Sequence, residues 1–153
     1  MLNILYKEKC MSMEERTTWV QAIVTTGSYL AYLFVVLRRS TGASLVEVGY
    51  VRPMLVTIGL SVVAVIVGAI VTAIISAVVS HDYEQKSDER DRQINRHGEY
   101  VGFFVLSAAA VGAAALAMAE APYFWIANAI FLGFVLSNLV SSVVKIVVYR
   151  RGF

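Results

Sequence analysis

The residues best suited to chemistry lie in one charged segment, residues 86–100, which precedes the third of four long apolar runs. Acidic and basic side chains are interspersed there, and the segment contains no proline. Asp88 with Arg92, and Arg96 with Glu99, have the spacing of ion pairs on one helix face. The pattern predicts a polar helix that continues into the third apolar run.

Three interpretations of this segment compete: a solvated helix whose charges neutralise one another, a docking surface for a cytoplasmic protein or for the chain's own termini, and a metal or proton site. A metal site needs ligands that converge at set spacing, whereas His81 and His97 stand at opposite ends of the loop 81–99. We therefore predict no metal, no cofactor and no catalytic residue. The docking interpretation assigns the contact to Asp88, Arg90, Asp91, Arg92, Arg96 and Glu99.

A second set of polar residues follows one face of the fourth apolar run. Its members recur at helical spacing near the end of the run, with one asparagine about three turns earlier: Asn128, Asn138, Ser141, Ser142 and Lys145. One interpretation is hydrogen bonding between helices, with a lysine that extends to the membrane surface. The other is a polar path for a solute or a proton, formed by Asn128, Asn138, Ser142 and Lys145. A milder stripe on the first run could pair with it: Gln21, Thr25, Ser28, Tyr29 and Tyr32.

The elements that must position these residues are membrane-spanning helices. Charged residues make up only 16% of the 153 residues, against about a quarter in soluble domains, and they cluster between apolar runs of 20 residues or more. We predict an all-α fold, an integral membrane four-helix transmembrane bundle whose third helix extends into the cytoplasm. A cytoplasmic segment 1–16 would precede a single domain 17–153. The predicted spans are 17–37, 53–80, 100–119 and 122–149.

The orientation follows from the distribution of basic residues. Four spans place both termini and the loop 81–99 on the same side of the membrane. That side carries Lys7, Lys9, Arg16, Lys86, Arg90, Arg92, Arg96, Arg150 and Arg151. The other side carries only Arg38, Arg39 and Arg52. Because cytoplasmic loops are enriched in lysine and arginine, we expect both termini in the cytoplasm of a plasma-membrane protein.

Small residues in two spans suggest where helices approach one another. The second span repeats them every four positions, at Ala64, Gly68, Thr72, Ser76 and Ser80, and the third has Ala108, Gly112 and Ala115 at similar spacing. Such stripes let helix backbones come close within a bilayer. Packing within one chain is one interpretation, and a homo-oligomer through Gly68 and Thr72 is the other. The two-residue connection Glu120-Ala121 makes spans three and four antiparallel neighbours.

The run DERDRQI at residues 88–94, followed by an aromatic-led span, resembles a family of predicted bacterial and archaeal membrane proteins of unknown function. The stretches FWIANAI at 124–130 and VVKIVVYRRG at 143–152 are similar to its actinobacterial members. The resemblance covers most of residues 13–153. It implies a four-span prokaryotic plasma-membrane protein and supplies neither a substrate nor a catalytic residue.

The absence of several motifs from the sequence narrows the range of functions to expect. The sequence has no phosphate-binding glycine loop, no zinc-protease helix motif, no nucleophile elbow, and no basic patch with interleaved aromatics that would indicate nucleic-acid binding. We therefore expect a non-enzymatic interaction or regulatory protein whose partners are the lipid bilayer and a cytoplasmic protein. The alternative is a small transporter or channel-like oligomer with a polar path along the fourth span. Four-span multidrug transporters use a carboxylate in their first span, and residues 17–37 contain none.

Overall fold

A computed structural model describes the backbone of residues 13–40, 49–79 and 89–151, and the side chains of residues 15–40, 49–75 and 91–150. The described chain forms four helices and no strands: α1 Met13–Arg39, α2 Val51–Val79, α3 Glu89–Met118 and α4 Tyr123–Arg151. All four are long and apolar enough to cross a membrane. The predicted all-α four-helix membrane fold is confirmed.

The helices extend beyond the apolar spans from which they were predicted. They contain 27 to 30 residues each, which gives roughly 40 Å at 1.5 Å per residue, while a bilayer's hydrocarbon core is about 30 Å thick. The difference is largest in α3, which begins at Glu89 rather than at Tyr100. Its first three turns are therefore a helical continuation of the third span, as predicted.

The helices pack in the spatial order α2–α1–α4–α3, so that α1 and α4 form the centre. Gln21 near the start of α1 contacts Asn138 in the second half of α4, and Tyr32 contacts Asn128 near the start of α4. These pairs show that α1 and α4 are antiparallel. The starts of α1 and α3 and the ends of α2 and α4 consequently lie at one end of the bundle, here called the charged end.

The α3–α4 turn is closed by a backbone motif that ends α3 abruptly. The Ala121 N–H donates to the Leu116 carbonyl at 3.0 Å, and the Glu120 N–H donates to the Ala117 carbonyl at 3.1 Å. This pair of bonds is a Schellman motif, which needs a left-handed residue after the helix. Glu120 takes that conformation, with φ of 53°. The predicted antiparallel pairing of the third and fourth spans is confirmed, and these two helices share the most extensive interface of the bundle.

Glycines of α3 and α4 allow that close approach. A Cβ at Gly102 would lie 3.0 Å from the Ser137 carbonyl oxygen, and one at Gly133 would collide with the Ala109 side chain. The prediction that Ala108, Gly112 and Ala115 pack within the chain was wrong: Gly112 has nothing near its Cβ position, and the two alanines are exposed. Small residues occupy several faces of α3, and the face with Gly98 and Gly102 is the one that packs.

Two members of the small-residue stripe of α2, Gly68 and Thr72, face α1 of the same chain, whereas Ala64 is exposed. A Cβ at Gly68 would lie 2.6 Å from Val20 Cγ1, and the Thr72 and Thr17 hydroxyls are 3.5 Å apart. Packing within the chain therefore uses this part of the stripe, and the homo-oligomer predicted through Gly68 and Thr72 stays a prediction. Ser80 lies outside the described residues, and the side chain of Ser76 is not described.

An aromatic cluster joins α1 and α4 in the half of the bundle away from the charged end. Tyr32 is almost fully buried, at 1% exposed, and its ring meets Phe131 edge to face at 5.2 Å. Tyr29 packs on the same ring at 5.4 Å, and Phe124 meets Tyr50 at 5.1 Å. These aromatic residues belong to one hydrophobic cluster, which also includes Val36, Leu33 and Met54.

Candidate functional site

The first turns of α3 have an inner face and an outer face. Ile94 is 1% exposed and Gly98 is buried, so one edge of the helix packs against the bundle. Arg92 and Arg96 are exposed on the opposite side. Ile94 was not singled out from the sequence, although an apolar residue one turn before a glycine is the signal that would have indicated the inner face. Because it is anchored, this helix presents its charges in a fixed direction.

The residues predicted for docking do not all share one exposed surface. Arg92 and Arg96 are exposed, and Asp91 is half-buried. Glu99 is exposed but forms an ion pair with Lys145 across the α3–α4 interface, rather than the predicted pair with Arg96 along the helix. Arg90 lies within α3 with its side chain undescribed, and Asp88 lies outside the described residues. The structure thus brings the arginines to one exposed surface and turns Glu99 toward α4.

A shallow groove lies along the outer face of α3 at the charged end. Four residues at helical spacing line it, with a volume of about 320 Å³: Gln93, Arg96, His97 and Tyr100. The groove offers a guanidinium, an imidazole, an amide and a phenol side by side. We call this surface, together with Arg92, the α3 docking face.

Lys145 packs against α3 along most of its length, with its ammonium group directed toward Glu99. It is 8% exposed, and its side-chain stem packs where a Cβ of Gly98 would otherwise lie. Its ammonium nitrogen is 3.6 Å from the Glu99 carboxylate. The reason is a contact between helices: the absence of a side chain at Gly98 leaves a space beside α3 that the lysine stem fills.

A polar cavity of about 170 Å³ lies between α1, α3 and α4 beside this ion pair. Its lining is Gln21, Glu99, Gly102, Ser137, Asn138, Ser141 and Lys145. Gln21, Glu99, Asn138, Ser141 and Lys145 were singled out from the sequence, whereas Gly102 and Ser137 were not. The signal that would have found Ser137 is the four-residue repeat Gly133, Ser137, Ser141 and Lys145 on α4. Ser142, predicted for the stripe, is buried at 3% exposure and does not line the cavity.

The two asparagines of the predicted stripe are paired with α1. The Gln21 amide donates to Asn138 Oδ1 at 2.6 Å, and the Tyr32 hydroxyl donates to Asn128 Oδ1 at 2.7 Å. Asn128 also donates to the Phe124 carbonyl at 2.8 Å. The predicted pairing of the polar stripes on the first and fourth spans is confirmed. Amides paired in this way lose little by lying within a bilayer.

The polar stripe is interrupted between its two asparagines. The cavity reaches Asn138 from the charged end but does not include Asn128 in its lining. Phe131 lies between the two positions on α4 and packs against Tyr29 and Tyr32. Within the described residues, the polar cavity is therefore a recess open toward one end of the bundle.

No protein-family model, no curated protein and no solved structure matches this chain. Its site must therefore be interpreted from its own geometry. In the side chains described, no three histidine, cysteine, aspartate or glutamate residues lie close enough to hold a metal ion. The two features with functional potential are the α3 docking face and the polar cavity, and Glu99 lies between them.

Proposed function

We propose that this multi-pass membrane protein is a non-enzymatic interaction or regulatory protein that contacts a cytoplasmic protein partner through the α3 docking face. The membrane bundle holds that face at a fixed height and angle above the bilayer. The partner would carry an acidic surface, since Arg96 lines the groove and Arg92 lies beside it, both exposed, whereas the neighbouring Glu99 is paired with Lys145.

The orientation is part of the proposal. The described charged end carries Arg16, Arg92, Arg96, Lys145 and Arg150, whereas the opposite end carries Arg38, Arg39 and Arg52. An excess of basic residues near the ends of spans favours the cytoplasmic side. We therefore place the charged end, and both termini, in the cytoplasm of the plasma membrane.

The observation that carries the proposal is the burial of Ile94 and Gly98 beneath exposed arginines. The buried face packs α3 against the bundle, so the two arginines are held on the side of the helix that faces away from it. Anchoring restricts the rotation of α3, so less conformational freedom is lost when a partner binds. Preorganised basic surfaces also accelerate association with acidic partners.

Transport along the fourth span is the second candidate, favoured by the polar cavity beside Asn138 and Lys145. A path across the membrane would have to pass the aromatic cluster around Phe131, where Tyr29 and Tyr32 pack against its ring. The pairing of Asn128 with Tyr32 also removes a polar group that such a path would use. These contacts give the docking function more support than transport.

Crosslinking in native membranes followed by purification of the tagged full chain tests the docking function. We expect the double variant Arg92→Gln/Arg96→Gln to lose a specific protein that the wild type recovers. The matched control is Arg38→Gln/Arg52→Gln, which removes two arginines at the opposite end and should recover it unchanged. Equal recovery by both double variants would exclude the α3 docking face as the contact.

A further inference from the structure

We propose that the polar cavity between α1, α3 and α4 binds an anionic phosphate group, with Lys145 as its cation and Glu99 as a displaceable anion at its mouth. The proposal does not depend on the docking function, because it concerns the inner side of α3 rather than the α3 docking face. It uses a different set of residues, because none of the four residues that line the groove lines the cavity.

The two side chains of the Lys145–Glu99 ion pair differ in exposure, and their separation is long for a hydrogen bond. The Lys145 side chain is only 10% exposed, whereas that of Glu99 is 70% exposed. Their separation of 3.6 Å exceeds the roughly 2.7–2.9 Å of a charge-assisted hydrogen bond. A lysine ammonium carries three N–H donors. Glu99 therefore balances the charge of Lys145 while leaving its donors available to a ligand in the cavity.

The rest of the lining supplies neutral donors around that cation. Gln21 donates to Asn138 Oδ1, which leaves the Asn138 amide nitrogen as a donor. Ser141 adds a hydroxyl, while the Ser137 hydroxyl already donates to the Gly102 carbonyl at 2.7 Å. A phosphate group presents several strong acceptor oxygens and is commonly bound by lysine as a point charge. One cation with amide and hydroxyl donors matches that chemistry.

Position and size favour a phosphate from the membrane surface or from solution. The cavity opens beside Glu99, next to Tyr100, where the apolar span of α3 begins. Lipid headgroups lie at this depth, and basic pockets between helices on the cytoplasmic side bind them. A volume of about 170 Å³ has room for several water molecules, each taking about 30 Å³ in the liquid, or for one phosphate group in their place.

Thermal unfolding of the purified full chain in neutral detergent tests the proposal. Three additions are compared: phosphatidylglycerol, a diacylglycerol with the same acyl chains but no phosphate, and inorganic phosphate. We expect a saturable rise in Tm with phosphatidylglycerol, with inorganic phosphate or with both, and none with diacylglycerol. The first two arms separate a lipid headgroup from free phosphate as the source.

The variants decide whether the cavity is the site. Lys145→Met should weaken the apparent affinity by about tenfold or more, since a charged hydrogen bond is lost. Glu99→Gln should strengthen the apparent affinity, because the competing carboxylate is removed. Since the Glu99 side chain is largely exposed, this variant should fold and stays informative even if Lys145→Met does not fold. Arg150→Gln, a cation at the same end outside the cavity, should leave the affinity unchanged.

Two results would overturn the proposal. One is the absence of any phosphate-dependent rise in Tm in both the wild type and Glu99→Gln. The other is a rise that Glu99→Gln fails to strengthen or that folded Lys145→Met retains in full, because the phosphate would then bind elsewhere on the basic surface.

Discussion

At the scale of single residues, the bundle depends on a few polar contacts in an apolar setting. Tyr32 is the clearest of them, because its hydroxyl is buried and donates to Asn128 across the α1–α4 interface. Hydrogen bonds between membrane helices are individually modest, on average about 0.6 kcal/mol, but an amide left without its partner in a buried position costs more.

Tyr32→Phe should therefore lower the free energy of unfolding by roughly 0.5–1.5 kcal/mol, because it removes the donor and keeps the ring. The matched control is Tyr29→Phe on the same aromatic cluster, which should change stability less. Denaturant unfolding in mixed micelles measures both. Equal effects of the two substitutions would mean that the Tyr32–Asn128 bond contributes nothing specific.

Glu120 is the residue that the α3–α4 turn places in the left-handed region, with φ of 53°. A side chain in that conformation costs about 1–2 kcal/mol, because its Cβ crowds the backbone. Glycine has no Cβ and avoids this cost, but its greater flexibility in the unfolded chain offsets part of the gain. We predict that Glu120→Gly raises stability by about 1 kcal/mol, whereas Glu120→Ala does not. The midpoint of thermal unfolding checks this, and a glycine variant less stable than the alanine variant would contradict it.

At the scale of helices, the α3–α4 interface depends on close backbone approach at glycines. Gly102→Ala should destabilise by about 1–3 kcal/mol, since its new methyl group would lie 3.0 Å from the Ser137 carbonyl oxygen, a backbone atom that cannot rotate away. Gly112→Ala on the same helix is the control. It has open space at its Cβ position and should be neutral or gain up to about 1 kcal/mol. Similar losses of stability at both positions would show that the glycines are needed for helix flexibility rather than for close contact between helices.

Hydropathy predicts the helices well but does not predict their contact faces. The four spans and the α3–α4 pairing could be read from apolar run lengths and the short Glu120-Ala121 connection. The choice between the face with Gly102 and the face with Gly112 could not, because glycine and alanine recur around the whole of α3. In a bilayer an outward small residue costs little, so the sequence pattern does not mark the packed face.

Of the candidate sites, the pairing of the polar stripes could be predicted from the sequence, whereas the burial of Lys145 could not. The helical spacing of polar residues predicted that the stripes of α1 and α4 pair, since buried amides need partners. The burial of the Lys145 stem could not be foreseen, because the stem of a lysine near the end of a span ordinarily lies along its own helix or toward lipid. Its position depends on the missing side chain of Gly98 on another helix, which is a tertiary contact.

At the scale of the whole molecule, the helices form an ordered series with α2 at its outer edge. No side chain of α2 between residues 51 and 75 is buried, although its most apolar window has a mean hydropathy of 2.8. Lipid can cover such a surface. The starts of α1 and α3 lie at the charged end. The proposed function therefore requires that this end of the bundle faces the cytoplasm.

Cysteine labelling in intact cells tests that orientation. In a Cys10→Ser background, an impermeant maleimide should label Gly49→Cys directly, because Gly49 is exposed at the end opposite the charged one. Gln93→Cys, exposed at the charged end, should be labelled only after permeabilisation. The reverse pattern would place the α3 docking face outside the cell and exclude a cytoplasmic partner.

Site-specific photocrosslinking in native membranes tests the docking function most directly. A photoreactive residue at Gln93, within the groove, should form a discrete adduct with one protein, and that adduct should disappear when Arg92→Gln/Arg96→Gln is added. The same residue at Val111, which is 70% exposed on the apolar part of α3, should not form that protein adduct. Adducts at Gln93 with lipid alone, or a protein adduct that persists without both arginines, would contradict the proposal that this membrane bundle presents α3 to a partner.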